Sequence, residues 1–203
     1  SRDFCMKIGR LIVFEGPDGC GKTTLSKALA ERLQNRGERV QWDSFPGRED
    51  GTLGELIYRL HHHPEQLGVL SITSLSLQAM HIAAHLDTIS RRLRPVLESG
   101  KSVVLDRFWW STWVYGVADG VDPASLDALI EVERRLWEPI QPAVVFIVRR
   151  RVPLRPEALG KWTSLNAAYE RLGVRERLTH SVAELWNEGS VEESVAKIET
   201  ELP

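Results

Sequence analysis

The chain has little that would staple or anchor it. Cysteine occurs twice in 203 residues, at Cys5 and Cys20, too few for a disulfide framework, and both can stay reduced in a cytoplasm. No apolar run approaches the roughly 20 residues needed to span a bilayer, and the longest, Ala143 to Val148, suits a buried strand. Ser1 to Lys7 lacks the apolar stretch of a secretory signal. Met6 can serve as the natural start, leaving Ser1 to Cys5 as an added segment or an alternative start. Charge of one sign is also missing: 26 basic against 28 acidic residues leave a net charge of −2. Without a basic field, a nucleic-acid coat is not expected. What remains, 42% hydrophobic and 27% charged, is ordinary for a globular protein, and a cytoplasmic location without a membrane partner is the expectation.

Apolar periodicity alternates between strand and helix. Leu11 to Phe14, Arg39 to Asp43, Ser102 to Asp106, Ala143 to Val148 and Ser181 to Leu185 read as strands. Helical spacing follows over Thr23 to Arg36, Leu53 to Leu60, Ile82 to Glu98, Leu126 to Leu136, Ser164 to Leu172 and Val191 to Leu202. Pro95 should kink the third of these or locally break its hydrogen-bond ladder, and Asp122-Pro123 should start the fourth. Strands alternating with helices imply an α/β fold: a doubly wound, five-stranded parallel sheet flanked by helices. With no repeat or linker, one domain over residues 1–203 is expected.

Gly16-Pro17-Asp18-Gly19-Cys20-Gly21-Lys22-Thr23 matches G-x-x-x-x-G-K-[ST], after a buried strand and before an amphipathic helix. Glycines let backbone amides turn toward phosphate oxygens, and the helix start adds its positive end. Lys22 then reaches the β- and γ-phosphates of ATP, while the Thr23 hydroxyl suits Mg²⁺. Gly16, Asp18, Gly19, Cys20, Gly21, Lys22, Thr23 and Thr24 are the expected nucleotide cradle. Cys20 sits beside a helix N-terminus, where a thiolate is favoured, although a small filler suffices.

Val103-Val104-Leu105-Asp106-Arg107 is a strand ending in Asp-Arg. Ligands of such sheets bind at the carboxyl ends of strands, so Asp106 faces the phosphate loop and can hold Mg²⁺. Arg107 beside it suits a second phosphate through its forked guanidinium. Arg48, after Phe45-Pro46-Gly47, follows another strand and faces the same crevice.

These segments together resemble the thymidylate kinase family. Phe14 to Thr24 is similar to its phosphate loop, Phe45-Pro46-Gly47-Arg48 to its Phe-Pro-x-Arg segment, and Asp106-Arg107-Phe108 with Ser111, Thr112 and Tyr115 to its Asp-Arg motif. The resemblance implies a P-loop NTPase fold and Mg²⁺-dependent transfer of the γ-phosphoryl of ATP to a deoxynucleoside monophosphate, most simply dTMP. It places Arg48 and Arg107 on the acceptor phosphate, Asp18 by the acceptor sugar and phosphate, Asp106 by the metal, and Phe45, Ser111 and Tyr115 around the deoxynucleoside. Lys22, Asp18, Arg107 and Asp106 form the implied catalytic set. Homodimers are common in that family, and the long helices here would support one.

Two departures stand out. The family's base-reading Phe-x-Ala-x-Arg segment falls on His81-Ile82-Ala83-Ala84-His85, so histidines replace both readers. Another nucleotide or deoxynucleoside acceptor therefore stays open, as does a nucleotide-binding switch without acceptor turnover. The i, i+4 spacing of these histidines also matches a zinc clamp, but no third ligand of the metalloprotease type follows. The second departure is the lid, here a short, proline-broken stretch over residues 149–162. Gly19 occupies a position where some relatives carry an arginine, so Arg149, Arg150, Arg151 or Arg155 must supply lid charge. His61-His62-His63 reads as a solvated helix end. Trp109, Trp110 and Trp113 read as packing, with an aromatic wall by the acceptor as the sharper alternative.

Overall fold

The computed structural model describes residues 8–203; Cys5 and the Met6 start lie outside them. Five parallel strands, β1 (Leu11–Glu15), β2 (Val40–Ser44), β3 (Ser102–Asp106), β4 (Val144–Arg149) and β5 (Val182–Trp186), form one sheet in the order β2-β3-β1-β4-β5. Every residue of β1 is buried, as expected of a strand covered on both faces. Phe14 lies opposite Asp106 of β3 and Phe146 of β4. The chain winds to one side of β1 through β2 and β3 and to the other through β4 and β5. That reversal puts a crevice at the carboxyl ends of β1 and β3.

Alternation along the strands divides the core in two. Leu11 and Val13 of β1 join Val103, Leu105, Val145 and Ile147 on one face, covered by α3 (Ser74–Thr88), α5 (Trp109–Ala118), α6 (Pro123–Trp137) and α7 (Leu159–Glu176). Ile12 and Phe14 join Val104, Val144, Phe146 and Val148 on the other, covered by α1 (Lys22–Asn35) and α8 (Val191–Thr200). Gly37, at φ 84°, ends α1: its amide donates to Gln34 O at 2.8 Å and that of Glu38 to Leu33 O at 3.1 Å, closing the last carbonyls.

The elements differ from sequence expectation in three places. The long helix expected over 82–98 begins at Ser74, where the Thr73 hydroxyl accepts from the Ser76 amide at 3.3 Å. Its α-helical hydrogen-bond ladder is interrupted just before Pro95. A wider π-helical stretch, Ile89–Leu93, precedes α4 (Arg94–Glu98), and the Arg94 amide reaches back five residues to Ile89 O. Such a turn gives room for the proline ring, which would otherwise crowd the Arg91 carbonyl.

The second difference is α5, which the sequence does not announce. Its Trp, Ser, Thr and Val residues are mediocre helix formers, and tertiary packing overrides that preference. Trp109, Trp110 and Trp113 pack inward at 1%, 0% and 6% exposure, which bears out packing as their role. The third is α7, which runs from 159 to 176 instead of 164 to 172 and shortens the lid stretch to residues 150–158, the last three of which, Pro156–Ala158, form a 3-10 turn. α2 (Leu53–His62) lies over α3 on the crevice side. No helix among the described residues is long and apolar enough to cross a membrane.

Because Trp110 is enclosed between sheet and helices, Trp110→Ala is expected to cost about 3–5 kcal/mol. Chemical denaturation should read this as a lower midpoint with a similar slope.

Candidate active site

The phosphate loop leaves β1 as Gly16 turns under Val148. A Cβ on Gly16, at φ 146°, would fall 2.5 Å from Val148 O. Gly21, at φ 90°, caps α1 against Asn187, and a Cβ there would meet Asn187 Nδ2 at 2.4 Å. Asn187 is a residue that sequence reading missed. Buried after β5, it donates through Nδ2 to Cys20 O at 2.9 Å and accepts from Ser194 Oγ at 3.2 Å. It thereby pins the loop to α8. Among the described residues the amides of Gly19 and Gly21 find no backbone acceptor, so together with the first turn of α1 the loop presents donors at the positive end of that helix. Cys20 is fully buried in the core behind the loop, and burial pushes its thiol up, away from thiolate character. Sequence reading named that thiolate only as an option.

Lys22 is 4% exposed and its Nζ lies 3.4 Å from Asp18 Oδ1. The Thr23 hydroxyl donates to Asp106 Oδ2, while Asp106 Oδ1 is enclosed with no partner among the described residues. A buried carboxylate oxygen without a donor, beside a threonine hydroxyl, fits a hard divalent cation that takes oxygen ligands.

Arg107 follows Asp106 with φ 77°, the one non-glycine left-handed residue described. That conformation costs about 1–3 kcal/mol and persists where surroundings enforce it. Here the Arg107 amide donates to Phe14 O at 2.9 Å, and the next amide, of Phe108, donates to Glu15 at 2.7 Å. The backbone turns so that the guanidinium reaches Asp18 and, at 2.9 Å, Ser111 Oγ.

Glu15 is a second residue that sequence reading passed over. It is 0% exposed and accepts from the amides of Phe108 and Ser111, the Ser111 hydroxyl and the Tyr169 hydroxyl, all within 3.0 Å. It acts as the cap that α5 lacks in its own sequence. Burial pushes its carboxyl up, while the Ser111 and Phe108 hydrogen bonds and the Arg107 charge oppose that rise.

Asp18 is the meeting point. Arg107, Lys22 and the Tyr115 hydroxyl, at 2.8 Å, converge on its carboxylate. Burial alone would raise its affinity for a proton, but Arg107, Lys22 and Tyr115 together outweigh that and hold the carboxyl well below the usual range. Tyr115 also accepts from the Asp18 amide at 2.9 Å, and burial pushes its hydroxyl up to about 12.

Two adjoining cavities open here. One, of about 740 Å³, is lined by Gly19, Gly21, Lys22, Thr23, Thr24, Asp106 and Arg155 among others. The second, about 530 Å³, is lined by Gln78, His81, His85, Ser111, Thr112 and Tyr115 among others. Asp18, Phe45, Arg48, Arg107 and Arg155 belong to both. Arg48 lies over the Tyr58 ring at 4.3 Å.

His81 and His85 both line the second cavity, joined by Gln78 and by His61 and His62 at the end of α2. The latter two are exposed, as a helix end should be, yet they also face this cavity. His81 Nε2 and His61 Nδ1 are 3.0 Å apart, and burial together with the neighbouring His85 pushes His81 down to about 3. His81 is thus neutral at physiological pH. Of the lid arginines, Arg155 alone lines the cavities. Arg149 pairs with Glu170 and Glu184, Arg150 binds Asn187 O, and Arg151 is exposed.

A parallel sheet with this loop at its switch point defines a P-loop nucleotide-binding protein. The family model described as thymidylate kinase matches residues 14–196. The chain belongs to the thymidylate kinase family. It is 34% identical over 140 residues to a probable thymidylate kinase of Thermococcus kodakarensis, covering 68% of this chain and 64% of that one. It is also 36% identical over 139 residues to a thymidylate kinase of Chlamydia muridarum, covering 68% and 64%. The chain thus spans just under two thirds of the length of these relatives. The crystal structure of thymidylate kinase from Ehrlichia chaffeensis superposes with a TM-score of 0.76 at 22% identity, covering 95% of this chain and 97% of that one, and shows the shared fold.

The depressed Asp18 carboxyl sets a pH dependence. Its contribution to stability is full above the ordinary aspartate range, near 3.8, and is lost as pH falls through the lower folded value. The stability difference between the protein and Asp18→Asn should therefore be flat at pH 5–8 and shrink below about pH 4. Thermal unfolding across that range checks it.

Proposed function

We propose that the chain transfers the γ-phosphoryl group of ATP to a deoxynucleoside monophosphate, with dTMP as the acceptor. The observation that carries this reading is that Lys22 of the phosphate loop and Arg107 after β3 reach the same carboxylate, Asp18. Two cations that touch one anion belong to two phosphate sites that adjoin, which is what in-line transfer requires. When the nucleotides bind, their phosphates compete with Asp18 for these cations and free its carboxylate toward the acceptor sugar.

The chain's residues then divide the work. The loop amides other than that of Cys20, together with the Lys22 side chain, hold the triphosphate. Arg48 and Arg107 grip the acceptor phosphate, whose oxygen attacks the γ-phosphorus as the bond to the β-phosphate oxygen breaks and ADP departs. Ser111 accepts from Arg107, Tyr115 places its ring under that guanidinium and its hydroxyl on Asp18, and the two line the sugar side of the cavity. Arg155, at the junction of the two cavities, supplies the lid charge over the moving phosphoryl group. Thr23 and Asp106 would hold Mg²⁺, which neutralises phosphate charge when bound. Little covalent chemistry is asked of the protein; positioning and charge neutralisation lower the barrier.

ADP release from ATP and dTMP tests the reading directly. Lys22→Ala should lower kcat by at least about 100-fold, and Arg107→Ala should raise KM for dTMP far more than KM for ATP. Arg155→Ala should lower kcat with little change in either KM. Unchanged acceptor kinetics in Arg107→Ala would remove the acceptor assignment.

A further inference from the structure

Glu133 of α6 has no part in the machinery above, yet it is a carboxylate with 0% exposure. Its Oε2 lies 2.8 Å from His85 Nδ1, and its Oε1 accepts from Trp137 Nε1 at 3.2 Å. Among the described residues no lysine or arginine pairs with it; its one ion-pair partner is His85, itself 3% exposed. His85 in turn faces Phe45, stacked at 4.0 Å between ring centroids, and His81 at 6.4 Å. The remaining polar atom of the His85 ring, Nε2, lies on the edge away from Glu133 and has no protein partner among the described residues, while His85 lines the acceptor cavity.

Proton accounting limits what Nε2 can be. If the pair carried no extra proton, Nδ1–H would donate to an ionised Glu133 and Nε2 would be a bare acceptor. That state buries an uncompensated negative charge, which is costly. With one proton shared, the pair is neutral overall, and its two forms are imidazolium with carboxylate or imidazole with carboxylic acid. In both forms Nε2 carries hydrogen.

We propose that Glu133 is a positioning residue that keeps this shared proton on the pair, so that His85 Nε2–H donates into the cavity and selects a pyrimidine monophosphate with a 4-keto oxygen over one with a 4-amino group. The inference rests on the acceptor reading above. It explains how a histidine serves where the resembling family has an arginine: each offers a hydrogen-bond donor, which a keto oxygen accepts and an amino group does not. A donor facing the wrong exocyclic group leaves both unpaired, a discrimination larger than a methyl group gives.

The test compares dTMP and dCMP turnover with ATP in the full chain. The unaltered protein should prefer dTMP. Glu133→Leu, which removes the proton partner, should erode that preference on the order of tenfold or more by raising KM for dTMP, leaving KM for ATP unchanged. Glu133→Gln should largely retain it. Trp137 Nε1–H claims the amide oxygen, so the amide N–H₂ faces Nδ1 and again leaves hydrogen on Nε2. Should Glu133→Leu fail to fold, ¹⁵N-histidine NMR of the unaltered chain at neutral pH, assigned with His85→Gln, gives an independent answer. A protonated His85 Nε2 supports the proposal and a bare one overturns it. A preference for dCMP, or an unchanged preference in Glu133→Leu, overturns the role of Glu133 while leaving the kinase reading intact. Neither turnover nor binding of either monophosphate overturns the kinase reading, and this inference with it.

Discussion

The buried carboxylate of Glu15 is the constraint on which the site depends. It stands at the last position of β1, one residue before the phosphate loop, and gathers the first amides of α5, Ser111 and Tyr169 of α7. A single group thereby fixes the nucleotide loop relative to the helix that carries Ser111 and Tyr115. A carboxylate can do this where an amide or hydroxyl could not, because two oxygens accept four donors at once. Its desolvation is offset by those hydrogen bonds and by the Arg107 charge.

From that anchor the electrostatics follow. Arg107 accepts a left-handed backbone because the amides on either side of its turn are committed, its own to Phe14 O and the next to Glu15. The strain aims a cation into the space shared by both cavities. Asp18 answers it, and Lys22 answers Asp18 from the other side. Two cations, from the loop and from the end of β3, are thus compensated by one internal anion.

The second cavity shows where this chain differs from the pattern it resembles. Phe45 lies flat on His85, Glu133 meets the Nδ1 edge of that ring, and His81 leans on His61 from a different helix. Two histidines of α3 thus take their partners from α2 and α6, and the cavity has an aromatic wall with polar edges.

How much was legible follows from the range of the forces involved. The phosphate loop, the five strands and most helices could be read because each rests on local chemistry: glycine conformation, period-two and period-3.6 burial, and a capping residue close by in sequence. The residues at β-strand ends could be placed for the same reason, since a parallel sheet points them all one way. The exceptions share a cause. α5 has no local cap and draws one from Glu15, 93 positions away from Phe108. Asn187 supports a loop 167 positions earlier, and Glu133 supports a histidine 48 positions away. By itself, then, the sequence determined the α/β order, the nucleotide loop and the presence of paired arginine and aspartate at strand ends. Only the tertiary structure decided that Asp18 joins Lys22 to Arg107, that Arg155 is the lid arginine facing the cavities, and that His85 has a buried carboxylate behind it. Periodicity reports which face of an element is buried; it carries no information about which distant side chain fills the space opposite.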